Sequence, residues 1–256
     1  MDLRKICIAL LALLVAAMVI VPIVSAEGSQ IGSQSMSRPT LTKLMDNPEA
    51  ITSSCPVVQN PETVIDSLIG KDLTTAEFYE MIYPGCMVKM PENVRNIYQT
   101  TKMKWPEKTQ SNSPEPLSKT EAQNIIAELI NNPSTEQSGF SQQMTKDIPA
   151  SLNGISVAWK GSTTIYQSST TTDPNSLAML YMSTKSMLWK LQNGQFTNIA
   201  ETLTVGVLTS SQTARGSKTV TPGLFQVLGE HYGISPLGYY PVEVFGYSNS
   251  QYFYVE

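Results

Sequence analysis

Charge is scarce in this 256-residue chain: Asp, Glu, Lys and Arg make up 15% of it, with 17 basic against 21 acidic side chains and a formal net charge of −4. No run of Lys and Arg exists from which a phosphate-binding face could be built, which argues against a nucleic-acid partner. Histidine is scarcer still. The single His231 excludes any centre that needs two imidazoles, such as an HExxH zinc helix or a three-His catalytic zinc. There is no D-x-D-x-D loop for calcium and no G-x-S-x-G elbow to expose a serine, so neither metal nor cofactor is expected. No Asn-x-Ser/Thr sequon with a permitted middle residue occurs, since Pro133 blocks Asn132-Pro133-Ser134. What is present is apolar content of 41%, enough to bury a core and to exclude wholesale disorder.

The first 26 residues read as an export signal. Arg4 and Lys5 precede an apolar run over 6–21, Pro22 interrupts it, and Val24-Ser25-Ala26 places small residues before a cleavage site after Ala26. An uncleaved membrane anchor is the alternative, because residues 6–24 approach the ~20 apolar residues that cross a bilayer. Membrane contact is expected only through this leader. Cleavage would remove Cys7 and leave Cys55 and Cys86, which in an oxidising compartment are expected to pair. Such a bridge is worth about 3–4 kcal/mol in the chain-entropy model.

The remainder divides near Pro149. Residues 27–150 hold 25 charged and six aromatic side chains, whereas 151–256 hold ten charged, 14 aromatic and 27 Ser or Thr. The first half reads as helical. Asn47-Pro48-Glu49, Asn60-Pro61-Glu62 and Met90-Pro91-Glu92 each put Pro at the first helical position and an acid in the first turn, the two Asn residues serving as caps. Thr74 with Glu77 and Ser118 with Glu121 spell capping boxes, the first with Leu73 and Phe78 spaced as a hydrophobic staple. Ala122, Ile125, Ile126, Leu129 and Ile130 fall on one helical face, and so do Val64, Ile65, Leu68 and Ile69 before the stop at Gly70. A Pro-rich loop is expected near 105–117.

The second half reads as sheet. Asn193-Gly194 predicts a type I′ hairpin in which Met187, Trp189 and Leu191 share a face with Phe196, Asn198 and Ala200. Leu203, Val205 and Val207 continue the apolar set out of phase, which requires a bulge or strand break near Glu201. Other strands are expected over 155–159, 163–167, 177–182, 223–228, 241–247 and 251–255. The fold class expected is α+β, a helical N-terminal region followed by a β-rich antiparallel region, either sandwich-like or a curved sheet.

Two resemblances bear on chemistry. Cys55-Pro56, the following Leu68-Ile69-Gly70 and Thr74-x-x-Glu77, with the ending Gly246-Tyr247-Ser248-Asn249-Ser250, resemble papain-like cysteine peptidases of the bacteriocin-processing type. That resemblance implies a Cys55 nucleophile with His231 as base, although the usual Gly after the cysteine is missing and Tyr239 or Tyr240 stands where the histidine should be. Gln192-Asn193-Gly194-Gln195, with Thr221-Pro222-Gly223-Leu224-Phe225-Gln226-Val227, is similar to early strands of L,D-transpeptidases. Those enzymes need a His-Gly-Cys segment downstream, and no cysteine follows Cys86.

Aromatic residues offer a non-catalytic alternative. Trp159, Tyr166, Tyr181, Trp189, Tyr232, Tyr239, Tyr240, Tyr247, Tyr252 and Tyr254 could supply a stacking surface, with Tyr252 and Tyr254 on one strand face as candidate binding residues. Glu77 and Glu80, one helical turn apart, read as a solvated pair. The sequence is therefore read as an exported extracellular or cell-envelope protein, a binding or surface module whose extracellular ligand is a polysaccharide or peptide, with the papain-like peptidase or an inactive relative as alternative.

Overall fold

The computed structural model describes residues 41–105, 113–131, 144–146, 152–161, 163–173 and 177–256. The leader, Cys7 and the middle of the Pro-rich loop lie outside the described residues. Five α-helices are described, all in the first half: α1 (Pro48–Ser54), α2 (Pro61–Leu68), α3 (Thr75–Ile82), α4 (Glu92–Thr100) and α5 (Lys119–Asn131). Local chemistry sets most of their ends. Asn47 accepts from the Ala50 amide at the start of α1, and Thr74 and Glu77 close a reciprocal capping box on α3. Ser118 and Glu121 do the same on α5. Asn60 departs from expectation: it sits at φ 54° without a side-chain cap bond, so α2 starts from a left-handed turn instead. Gly70, at φ 83°, ends α2 as its conformational freedom allows. On α5 only Ala122 is buried, and Ile130 is 51% exposed, so its apolar face is covered in part.

The strands are β1 (Thr42–Lys43), β2 (Met144–Lys146), β3 (Asn153–Lys160), β4 (Thr164–Thr172), β5 (Met179–Gln192), β6 (Gln195–Thr209), β7 (Ser211–Thr219), β8 (Gly223–Ile234), β9 (Tyr239–Tyr240), β10 (Glu243–Asn249) and β11 (Phe253–Val255). All pairings are antiparallel. The larger sheet runs β2-β10-β8-β5-β6, with β11 also on β8; β3-β4-β7 form a second sheet, and β1 pairs with β9. The helical half thus contributes β1 and β2 to the β architecture. The β-rich C-terminal part and the α+β class agree with the sequence reading.

The Asn193-Gly194 hairpin forms with both residues at positive φ, and its register is as read from Gln192↔Gln195 to Trp189↔Asn198. A shift then occurs between Leu188 and Trp189, leaving Ile199 as the extra residue, two positions from Glu201. The bulge turns Ala200 to the other face, where it packs with Leu188 and not with Phe196. Strand β7 is not legible in the sequence, because Ser-Gln-Thr-Ala-Arg-Gly-Ser-Lys-Thr has no apolar alternation.

Alternation divides the larger sheet cleanly. Met182, Thr184, Ser186, Leu188, Val227, Gly229, His231, Val244 and Ser248 face the three-stranded sheet; Tyr181, Tyr232, Ile234 and Phe245 face the helices. Helices α2 to α4 cover one end of that second face with Ile65, Phe78, Tyr79, Ile82 and Tyr98. Leu117 joins Met187, Trp189, Phe196 and Leu228 at the other end. Between them Lys185 lies 3.3 Å from Glu201 and 3.9 Å from Glu230. Among the described residues no helix is long and apolar enough to cross a membrane.

Candidate functional site

The interior between the two sheets is layered. Ala158, Ile165, Leu188, Phe225 and Val227 form an apolar cluster at one end and Leu152, Met179, Met182 and Val244 another. Between these clusters lies a polar layer. His231 is fully buried there, its Nδ1 2.7 Å from the Thr171 hydroxyl and its Nε2 2.6 Å from the Ser248 hydroxyl. From Ser248 the chain of hydroxyls continues to Ser156 at 2.7 Å, to Ser169 at 2.8 Å and to Ser186 at 3.0 Å. On the other side Thr171 bonds Thr184, which donates to the Gln212 carbonyl. A buried hydroxyl without a partner costs free energy, and here each finds one across the sheet interface. Gly229 makes room: a Cβ on it would lie 2.5 Å from Ser156 Oγ and 2.8 Å from both His231 Nε2 and Ser169 Oγ.

Burial pushes the His231 imidazole down to about 3, so it is neutral at physiological pH. The Ser248–His231 contact has the length of a nucleophile–base pair, but its third member is the Thr171 hydroxyl where a carboxylate would be needed to stabilise an imidazolium. Both hydroxyls and the ring are buried, which keeps substrate away from them.

Cys55 sits elsewhere, buried among the helices on the opposite face of the larger sheet, so the structure does not bring Cys55 and His231 together. The expected Cys55–Cys86 disulfide is also corrected. Both are buried free thiols. Cys86 Sγ is 3.7 Å from the Tyr79 carbonyl and 3.8 Å from Glu80 Oε2, acceptors that suit a protonated thiol. Burial, then the Glu80 carboxylate and the neighbouring Cys55, raise the Cys86 thiol to about 12, which suppresses the reactive thiolate. Glu80 is no idle surface acid, since it also accepts from the Gly85 and Met87 amides.

The candidate binding tyrosines separate too. Tyr252 stacks on Phe196 with centroids 5.7 Å apart and belongs to the cluster around Trp189. Tyr254 pairs with Leu224 in β11, which begins one residue after Tyr252. Both tyrosines are half-buried, and Tyr252 covers part of that cluster.

A different aromatic pair does stand free. Trp159 and Tyr166 are cross-strand partners on the outward face of the three-stranded sheet, 38% and 41% exposed, with rings 5.9 Å apart and within 9° of parallel. Beside them the outward residues form rows: Trp159, Tyr166 and Ser217; Val157, Ser168 and Arg215; Ile155, Thr170 and Thr213. Arg215 is the one ionisable charge in these rows. Thr170 and Thr213 bond each other at 3.0 Å, which holds their hydroxyls in a fixed ladder. Both aromatics were in the sequence's aromatic stock. What sequence could not supply was which of the ten faced water.

The His, Cys, Asp and Glu side chains among the described residues form no group that could hold a metal ion. Compared with known protein families, curated proteins and solved structures, the chain has no match.

Proposed function

We propose that the protein is an exported, non-catalytic binding module of the extracellular or cell-envelope space, and that it binds through the outward face of β3, β4 and β7. The leader residues support export. The observation that carries the binding reading is the exposed, nearly parallel Trp159–Tyr166 pair on a face of hydroxyls with a single charge. Such a face suits an uncharged polysaccharide. The C–H face of a sugar ring lies against the electron-rich face of an aromatic, while Ser and Thr hydroxyls exchange hydrogen bonds with sugar hydroxyls at no cost in charge desolvation.

The test is affinity electrophoresis of the full chain in gels containing neutral polysaccharides, beside an unstructured peptide library on beads. Retardation by a neutral polysaccharide is expected, weakened about tenfold by Trp159→Ala or Tyr166→Ala, since an aromatic contact is worth about 1 kcal/mol or somewhat more. Capture by peptides alone would replace the ligand class. Retardation unchanged in both variants would remove this face from the reading.

A further inference from the structure

We propose that β6 is a dimerisation edge: it pairs, antiparallel about Leu203, with the same edge of a second copy of this chain, so that the two larger sheets join into one. β6 is the last strand of its sheet, and among the described residues no strand pairs with its outer edge. The direction of its backbone groups follows from the hairpin. The two-residue turn at Asn193-Gly194 makes Gln192↔Gln195 a hydrogen-bonded pair, and every second residue of β5 from there aims its amide and carbonyl at β6. Ser186, Thr184 and Met182 thus bond Thr202, Thr204 and Gly206. Glu201, Leu203, Val205 and Val207 therefore aim their backbone groups outward. The Val205 carbonyl agrees with this, because it accepts from the Gln212 side chain of β7 at 2.7 Å.

An open edge invites strand pairing unless it is short, charged, interrupted by Pro or covered. The opposite end of the sheet is protected in this way, since β2 is three residues long and ends on Lys146. β6 is 15 residues long, has Glu201 as its single charge and no Pro, and leaves Leu203 61% exposed. The bulge at Ile199 and the left-handed Leu208, at φ 51°, bound its regular stretch to 200–207. What names the occupant is that this stretch fits itself. Turned about Leu203, it sets Leu203 against the partner's Leu203, Thr202 against the partner's Thr204, Glu201 against the partner's Val205 and Ala200 against the partner's Gly206. Leucine covers leucine on one face, threonine meets threonine on the other, and no like charges oppose each other. Glu201 keeps its own Lys185 at 3.3 Å. The two-fold axis of such a pair stands perpendicular to the sheet, so both three-stranded sheets lie on one side and both Trp159–Tyr166 pairs face one way.

Sedimentation velocity of the full chain at about 10–100 µM tests the pairing, and the unmodified chain is expected to run as a dimer. Leu203→Lys and Leu203→Glu, at an exposed position, each set like charges across the axis and should raise the dissociation constant about tenfold. An equal mixture of the two variants sets opposite charges at the same point and should restore the dimer. A monomeric unmodified chain overturns the proposal, whether its β6 edge is bare, held by another segment of the chain or taken by an added extended peptide. A dimer untouched by both substitutions overturns it too, and so does one lost in both and not restored by mixing. Amide exchange in the unmodified chain decides the matter should the variants not fold. The Leu203 amide, which no β5 carbonyl accepts, should slow with rising chain concentration while that of Thr204 does not; exchange at Leu203 that ignores concentration overturns the pairing equally.

Discussion

At the residue scale the structure turns on small side chains at crowded places. Gly229 is extended and needs no special φ; it needs the absence of a Cβ, because Ser156, Ser169 and His231 occupy that space. Gly229→Ala is therefore expected to cost about 2–3 kcal/mol, read as a lowered urea midpoint with near-unchanged slope, since overpacking here also parts hydrogen bonds. Nothing around Gly229 in the sequence announces this. Its neighbours Leu228 and Glu230 point to the opposite face, and the three crowding atoms come from strands β3, β4 and β8. Cys55 and Cys86 teach the same lesson in reverse. Cysteine number and the leader argue for a bridge, but the thiols are placed by helix packing, which gives Cys86 the Tyr79 carbonyl and Glu80 as partners.

At the element scale, what is local is legible. Pro48 and Pro61 start helices, the two capping boxes form, and Asn193-Gly194 turns the chain, because each depends on atoms within four residues of one another. Gly194 carries two demands at once: φ 80°, and a Cβ position 3.2 Å from the Leu117 carbonyl, which would have to give by a few tenths of an ångström while Leu117 N donates to Gly194 O. Gly194→Ala should accordingly lower stability by about 1–2 kcal/mol and loosen the approach to α5, seen as a drop in thermal midpoint and faster exchange of the Leu117 amide. The phase slip in β6 was legible as a necessity and its site within two residues. Its consequence for Ala200 was not, because choosing which residue bulges is a matter of how Leu188 and Ala200 pack against the second sheet.

At the scale of the whole molecule, the buried His231 and the half-buried Glu243 pull stability in opposite directions with pH. His231 is held below its ordinary value of 6.5, so the unfolded chain binds more protons between about 3 and 6.5, and stability falls as pH falls through that window. Glu243 is held above 4.5, so the folded chain binds more protons between 4.5 and about 7, and stability falls as pH rises. Between 4.5 and 6.5 these effects oppose each other. Each has a limiting slope of about 1.4 kcal/mol per pH unit, smaller for Glu243 because water reaches it in part. Urea unfolding of the unmodified chain should therefore show a shallow plateau in that window and a decline below it. Glu243→Gln should unmask a rise with pH across the same interval, and a flat profile in that variant would mean that His231 is not protonating on unfolding as its burial requires.

The sequence by itself determined the division into a helical and a β-rich part, most helix starts, the hairpin and the need for a bulge. Each of these is written in residues that interact with near neighbours along the chain or repeat with the period of one element. It did not determine which hydroxyls lie inside. In Ser168-Ser169-Thr170-Thr171-Thr172 every residue is a plausible surface residue, yet Ser169 and Thr171 bond in the interior while Thr170 points outward to Thr213. Composition describes both sets alike, and only the opposing strand, with Ser186, His231 or Ser248 on it, makes burial of a hydroxyl affordable. The same holds for Glu243 and for Trp159 with Tyr166. Burial and exposure are set by elements that meet across more than a hundred residues or across a sheet, and the tertiary structure alone decides them.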